Sequence, residues 1–143
     1  VRFHRLSLSR KTKIGNSSWT DYEFTGQFKL DPIEHKASYI YLRVTNEHPP
    51  RYYRITNLFK AGIKAEYFDG EEFSSLAEVP YPIGKDRWYK FKAVVKENTL
   101  NYFINDTLLI VSRRLVHLRG GGAGIGSQSV PVYFSNIAVD EVQ

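Results

Sequence analysis

The chain has 143 residues, no cysteine, no methionine and a net charge of +5 from 20 Lys and Arg against 15 Asp and Glu. A chain of this length can bury a core without disulfides or a structural metal, and without cysteine neither a disulfide framework nor a thiolate zinc site can form. Basic and acidic residues are interspersed, and no recognition helix or aromatic RNA-binding signature occurs, so we predict no nucleic-acid partner.

No apolar run approaches the ~18 residues of a membrane span, and no signal or transit peptide is visible, so we predict no membrane insertion. The start at Val1 and the lack of methionine favour a mature domain or a piece of a longer protein. Without an internal repeat or a low-complexity linker, residues 1–143 are predicted to form one domain.

From Trp19 onward, apolar and polar residues alternate as they do in β-strands. The first such segment is DYEFTGQFKL (21–30), followed by SYIYLRVTN (38–46) and, after Pro49-Pro50, RYYRITN (51–57). Further segments are GIKAEYFDG (62–70), a short strand at 75–79, a hairpin over 87–106 turned at Glu97-Asn98, TLLIVSRR (107–114) and the chain end. The pattern predicts an all-β fold, a two-sheet antiparallel jelly-roll sandwich. The predicted core residues are Ile40, Leu42, Val44, Tyr53, Ile55, Phe91, Val95 and Ile104.

Residues 119–127, RGGGAGIGS, raise the question of a phosphate-binding loop. A dinucleotide fingerprint needs a third glycine where Ser127 stands, and a P-loop needs a Gly-Lys-Ser/Thr ending before a helix. The residues that follow alternate as a strand. We therefore predict a structural corner, in which glycines such as Gly124 supply positive φ angles.

The order of these landmarks resembles the concanavalin A-like lectin/glucanase superfamily, and within it laminin G-type and carbohydrate-binding modules. The motifs that carry the resemblance run from residue 19 to residue 142: WTDYEF, YIYLRVTN, YYRITN, FDGEEF, DRWYKFKAVV, LNYFINDTLLI and GGAGIGSQSVPVYFSNIAVDEV. The resemblance implies a sandwich with a sheet face that holds ligand. It also implies that a structural calcium ion near the chain ends is possible, to which Asp21 and Asp140 could contribute.

A row of aromatic and charged side chains has the phase opposite to the core residues of its strands. These predicted ligand-binding residues are Tyr41, Arg43, Tyr52, Arg54, Lys64 and Glu66, with Glu23 nearby. Aromatic faces can stack on sugar rings, while Arg, Lys and Glu can hydrogen-bond to hydroxyl or acidic groups. The alternative is a solvated sheet face with cross-strand charge pairs.

Catalytic and metal signatures are weak. Glycanases of this superfamily carry Glu-x-Asp-x-x-Glu or a close variant on one strand, and no such string occurs here. The acids stand alone on strands (Glu23, Glu66, Glu78) or on a turn (Glu71, Glu72). The histidines lack the paired spacing of a zinc site: His4, His35, His48 and His117.

The sequence thus favours a non-catalytic, lectin-like carbohydrate-binding module whose partner is a glycan or glycoconjugate, without a required cofactor. The alternative is a laminin G-type protein-interaction or structural module with a protein partner, and a sugar-processing enzyme domain comes third. Because such modules occur in secreted and surface proteins, we expect an extracellular or cell-surface location.

Overall fold

A computed structural model describes residues 2–8, 12–14, 18–30, 37–127 and 132–142. They form β1 (Arg2–Leu8), β2 (Thr12–Ile14), β3 (Tyr22–Leu30), β4 (Ala37–Val44), β5 (Tyr52–Leu58), β6 (Gly62–Phe68), β7 (Phe73–Val79), β8 (Tyr89–Lys96), β9 (Thr99–Ile104), β10 (Thr107–Ser112), β11 (Gly122–Ser127) and β12 (Val132–Glu141). Within these ranges no helix is long and apolar enough to cross a membrane.

The strands form two sheets. Sheet I has the order β1-β12-β3-β8-β9-β10, and sheet II has the order β2-β11-β4-β5-β6-β7. Every paired neighbour is antiparallel. The all-β, two-sheet sandwich predicted from alternation is therefore confirmed.

The core lies between the sheets and follows the apolar phase of the strands. In β3 every second residue from Tyr22 to Leu30 is buried, since this phase points at sheet II. Gly26 keeps that phase without a side chain because a Cβ there would lie 2.8 Å from the ring of Phe91. All the predicted core residues belong to the main buried cluster except Val44.

The exception at Val44 has a local cause, a β-bulge in β4. Gly122 pairs with Val44 and Gly124 with Tyr41, so β4 has one more residue than β11 between these pairs. The bulge coincides with Arg43, whose φ is 52°. An extra residue reverses the phase of the strand beyond it. Val44 consequently packs with Tyr41 on the outer face of sheet II, and its predicted core position was wrong.

The glycine segment is a corner followed by a strand. Gly121 has a φ of 141°, and its N–H donates a 2.8 Å hydrogen bond to the carbonyl of Trp19. A Cβ at Gly121 would lie 2.6 Å from the carbonyl oxygens of Arg43 and Val44. Gly124 lies inside β11 and is not among the glycines with positive φ. The corner was therefore predicted correctly, but its conformational requirement falls on Gly121.

Candidate functional site

The outer face of sheet II carries three parallel rows of side chains across β4 to β7. The register places Tyr52 beside Phe68 and Phe68 beside Phe73 in the first row. The second row is Tyr41, Arg54, Glu66 and Ser75, and the third is Tyr39, Thr56, Lys64 and Glu78. One face thus combines an aromatic row with two rows rich in polar groups.

The aromatic side chains form a continuous ring cluster, defined here as Tyr39, Tyr41, Tyr52, Phe68 and Phe73. Ring centroids are 5.0 Å apart for Tyr41 and Tyr52, 5.0 Å for Tyr52 and Phe68, and 4.6 Å for Phe68 and Phe73. Tyr41 and Tyr52 are only 6% and 7% exposed, whereas Phe73 is 41% exposed. Phe73 is therefore the ring of this cluster best placed to contact a ligand.

Arg54 is held between these rings. Its guanidinium carbon lies 4.5 Å from the ring centre of Tyr39 and 4.0 Å from that of Phe73. Its Nη2 donates a 3.1 Å hydrogen bond to the Glu66 carboxylate, while its buried Nε has no hydrogen-bond partner among the residues that the structure describes. Stacking on two rings and pairing with a carboxylate leave the guanidinium little freedom. The Arg54 guanidinium is thus held in one orientation before any ligand binds, with its N–H groups available as hydrogen-bond donors.

Glu66 connects Arg54 to the third row. Its carboxylate also accepts a 3.5 Å hydrogen bond from the Thr56 hydroxyl and lies 4.0 Å from the Lys64 ammonium. Thr56 and Lys64 line a pocket of about 310 Å³ together with Leu58, Glu78 and the β7 end at Val79. The charged network thus opens into a cleft with both polar and apolar walls.

Burial changes the chemistry of the tyrosines in the cluster. The pKa of Tyr41 is raised to about 12, mainly by burial and in smaller part by the neighbouring Tyr52 hydroxyl, while Arg54 opposes the shift. Burial also raises the pKa of Tyr52. Both phenols are neutral near pH 7, so the cluster presents hydroxyl groups and ring faces without negative charge.

Five of the seven predicted site residues share this face. Tyr41, Tyr52, Arg54, Lys64 and Glu66 lie in the three rows. The strand alternation that predicted them holds because none of them lies beyond the bulge in β4.

Arg43 was placed on this face by its phase, and the structure corrects that placement. The bulge turns its side chain into the protein, where it is 0% exposed. Nε donates to the Thr20 carbonyl at 3.0 Å, Nη1 to the carbonyls of Glu97 at 2.7 Å and Leu118 at 3.1 Å, and Nη2 to Asp21 at 3.2 Å. Arg43 therefore joins three segments of the sandwich and is not available to a ligand.

Glu23 is also separated from the predicted face because β3 belongs to sheet I. It lines a different pocket of about 250 Å³ on the outer side of sheet I, together with Thr25, Lys90, Lys92 and Phe103. Alternation predicted the strand phase of Glu23 correctly, but strand phase does not say which sheet a strand joins.

Phe73 was missed by the sequence analysis, as was the partnership of Tyr39 with Arg54. Phe73 follows the Asp69–Glu72 turn, in which the Asp69 carboxylate accepts the N–H groups of Glu71 and Glu72, both at 2.8 Å. This turn sets Phe73 opposite Phe68. The sequence feature that could have revealed Phe73 is the pair of phenylalanines that flank the turn in FDGEEF.

The part of the chain that the structure describes contains no group of three or more potential metal ligands. Of the two acids considered for calcium, Asp21 is engaged by the Arg43 guanidinium and the Glu97 N–H through one carboxylate oxygen. Asp140 lies directly opposite Glu23 in the backbone register of β12 and β3. The Asp21 interactions already compensate the charge of that carboxylate.

Comparison with known proteins identifies the fold. No family model matches the sequence, and no curated protein matches it. The carbohydrate-binding module CBM66 from Bacillus subtilis matches with a TM-score of 0.80 and 16% identity, over 93% of this chain and 83% of that one. Galectin LEC-6 from Caenorhabditis elegans matches with a TM-score of 0.76 and 12% identity, over 98% and 96%. The Crh5 transglycosylase in complex with NAG matches with a TM-score of 0.70 and 8% identity, over 97% and 72%.

These structures are all concanavalin A-like jelly-roll sandwiches, and this chain has the same lectin-like fold. The resemblance inferred from the order of sequence landmarks is thereby confirmed at the level of the fold. At such low identities the comparison transfers no site residues, so the function is argued from the site itself.

Proposed function

We propose that this protein is a non-catalytic, lectin-like carbohydrate-binding module that holds a glycan or glycoconjugate on the outer face of sheet II. The observation that carries the proposal is the Arg54–Glu66 pair beside a pocket, with the Arg54 guanidinium held between the rings of Tyr39 and Phe73. A sugar presents apolar C–H faces and hydroxyl groups that both donate and accept hydrogen bonds. A ring platform beside a rigid cation–carboxylate pair matches both features.

Each group has a role in this proposal. The exposed ring of Phe73 stacks on the sugar, Glu66 accepts a hydrogen bond from a hydroxyl, and Lys64, whose side chain is 45% exposed, donates one. Arg54 orients Glu66 and offers donors at the edge of the platform. Tyr41 and Tyr52 are buried beneath the platform and support it. Strand phase alone would suggest that a sugar stacks directly on Tyr52, but Tyr52 is too buried for that role.

The proposal extends to the setting of the protein. The carbohydrate-binding and galectin names among the structural matches support a glycan partner. An extracellular or cell-surface location belongs to the same proposal, because glycans are displayed there. A laminin G-type module would instead bind a protein, which an experiment on the same face can distinguish.

A glycan array on the whole chain, followed by calorimetry with the glycans found, tests the proposal. Phe73→Ala should raise the dissociation constant by roughly 5- to 150-fold, equivalent to about 1–3 kcal/mol by analogy with base stacking on aromatic side chains. Glu66→Gln should also weaken binding, because an amide cannot replace a carboxylate that accepts hydrogen bonds from both Arg54 and the sugar.

The matched control is Glu23→Gln, the same substitution on the other sheet, which should leave the affinity unchanged. Equal losses in Glu23→Gln and Glu66→Gln would move the site away from sheet II. An array without binding, together with capture of a protein partner that Phe73→Ala abolishes, would favour the laminin G-type alternative.

A further inference from the structure

β10 is the last strand of sheet I, and among the described residues no strand is hydrogen-bonded to its free edge, although β10 also lies close to β7 of sheet II. Two exposed side chains of β10 are apolar. Leu108 is 48% exposed and Val111 is 47% exposed. The strand TLLIVS contains no charged residue and no proline. Natural edge strands are usually protected by lysine, proline or inward-pointing charge, and an unprotected apolar edge is a template for pairing with another strand. The neighbouring edge β7, by contrast, carries Glu78.

The bulge in β10 determines which backbone groups face this open edge. Thr107 pairs with Ile104 across the Asn105-Asp106 turn, and Ile110 pairs with Tyr102, with the register shift between Leu108 and Ile110. Asn105 and Asp106 have φ angles of 48° and 68°, as in a type I′ hairpin turn, where the flanking residues form a hydrogen-bonded pair. The alternation of an antiparallel ladder then directs the N–H and C=O groups of Leu108 and Val111 away from β9.

We propose that β10 is a homodimer interface, at which it pairs antiparallel with β10 of a second copy of this chain. In the register that we infer, Leu108 lies opposite Val111 of the partner, and Val111 opposite Leu108 of the partner. Because both copies carry the same bulge, the outward-facing backbone groups have the same spacing on each strand. Both Leu108–Val111 pairs can therefore form their backbone hydrogen bonds at the same time. The four exposed apolar side chains then lie side by side.

Charge supports the same register. Continuing the pairing outward places Ser112 opposite Thr107 of the partner and Arg113 opposite Asp106 of the partner. Both charged residues are exposed, and the Asp106 side chain is 74% exposed although it also contacts Lys90 at 2.8 Å. Two-fold symmetry gives two such opposite-charge contacts, one at each end of the paired strands. In this register apolar residues contact apolar residues, and acidic residues contact basic ones. This self-complementarity identifies a second copy of the chain as the partner at the β10 edge.

The proposed pairing also determines how the two candidate sites are oriented, and its value for glycan binding rests on the proposed function. Antiparallel strands of one sheet are related by a two-fold axis perpendicular to that sheet, so both copies present the outer face of sheet II on the same side. A glycan-coated surface could then be held by two faces at once, which raises avidity. A single strand pair is small for a stable interface, so we expect a weak, concentration-dependent dimer.

The association is tested on the whole chain by sedimentation velocity over a range of concentrations. The wild type should shift from monomer to dimer as concentration rises, and Val111→Lys should remain monomeric. Leu58→Lys, an equally drastic change at a 41% exposed leucine of sheet II, should dimerise as the wild type does. Arg113→Glu, which leaves the strand intact, should raise the dimer dissociation constant roughly 2- to 30-fold, twice the effect of one exposed ion pair.

Cysteine cross-linking tests the register, because the chain has no cysteine of its own. Directly opposite residues in a hydrogen-bonded pair lie about 5.5 Å apart at Cα, within the usual range of a disulfide. An oxidised mixture of Leu108→Cys and Val111→Cys chains should give disulfide-linked heterodimers, whereas each variant alone should give only background.

A monomer at every concentration, or a dimer that survives Val111→Lys, would overturn the proposal. So would cross-linking of the mixture no greater than that of either variant alone. None of these measurements involves a glycan, so a failure here is separate from a failure of the proposed binding function.

Discussion

Arg43 shows at the scale of one residue how a charged side chain can be structural. A buried cation is costly unless it is paired and hydrogen-bonded. Here three carbonyls and the Asp21 carboxylate surround the guanidinium, and burial lowers its pKa from the ordinary value. An arginine remains charged under such a shift. The residue thus links the start of β3, the β8–β9 turn and the segment before β11.

Arg43→Lys should lower the free energy of unfolding by roughly 2–4 kcal/mol, the loss of one or two hydrogen bonds to a charged group. An ammonium cannot reach all of these acceptors, because it lacks the planar fork. Chemical denaturation measures the loss. The matched control is Arg51→Lys, since Arg51 pairs with Glu47 in solvent and should change stability little. Equal stability of the wild type and Arg43→Lys would refute the linking role.

The turns and corners between strands depend on single backbone conformations, and the corner before β11 is the strictest. Gly121→Ala should lower the unfolding free energy by well over about 1 kcal/mol, because the φ of 141° is unfavourable and the Cβ would collide with the carbonyls of β4. Gly70→Ala is the control. Gly70 also has a positive φ, 103°, but a Cβ there would be 3.6 Å from the nearest atom. Thermal unfolding should rank Gly121→Ala as the more damaging, and the reverse order would contradict the predicted clash.

The elements also show where sequence reasoning was sufficient and where it was not. Alternation predicted the strands and the core because burial of one face is a local, period-2 property. It misplaced Val44 and Arg43 because phase holds only along an uninterrupted ladder, and one bulged residue reverses it. It misplaced Glu23 because the sheet that a strand joins depends on long-range pairing, which no local pattern encodes.

At the scale of the whole molecule, buried tyrosine hydroxyls join the two sheets. The Tyr102 hydroxyl of β9 donates a 2.7 Å hydrogen bond to Asn57 of β5. The Tyr22 hydroxyl of β3 accepts the Arg43 N–H at 2.7 Å and donates to the Gly122 carbonyl at 3.3 Å. These bonds require neutral phenols, because a phenolate cannot donate and would be buried without enough compensation. We therefore expect the sandwich to lose stability at alkaline pH.

Stability should fall as the pH rises above about 10, the ordinary pKa of tyrosine. Burial raises the pKa of Tyr41 to about 12 and raises those of Tyr22 and Tyr102 as well. Between these values the folded state keeps protons that the unfolded state releases, so each such tyrosine lowers the unfolding free energy by about 1.4 kcal/mol per pH unit. Below pH 10 these groups are protonated in both states, and their contribution does not vary with pH.

Urea unfolding at a series of alkaline pH values, with phenolate absorbance recorded in parallel, measures this slope. Tyr102→Phe should be less stable at neutral pH, because it leaves Asn57 without its donor, but its stability should decline less steeply above pH ~10 by the contribution of one tyrosine. The absorbance of the buried tyrosines should rise together with unfolding. If all ten tyrosines ionised while the sandwich remained folded, the buried hydroxyls would not be what makes the fold sensitive to alkali.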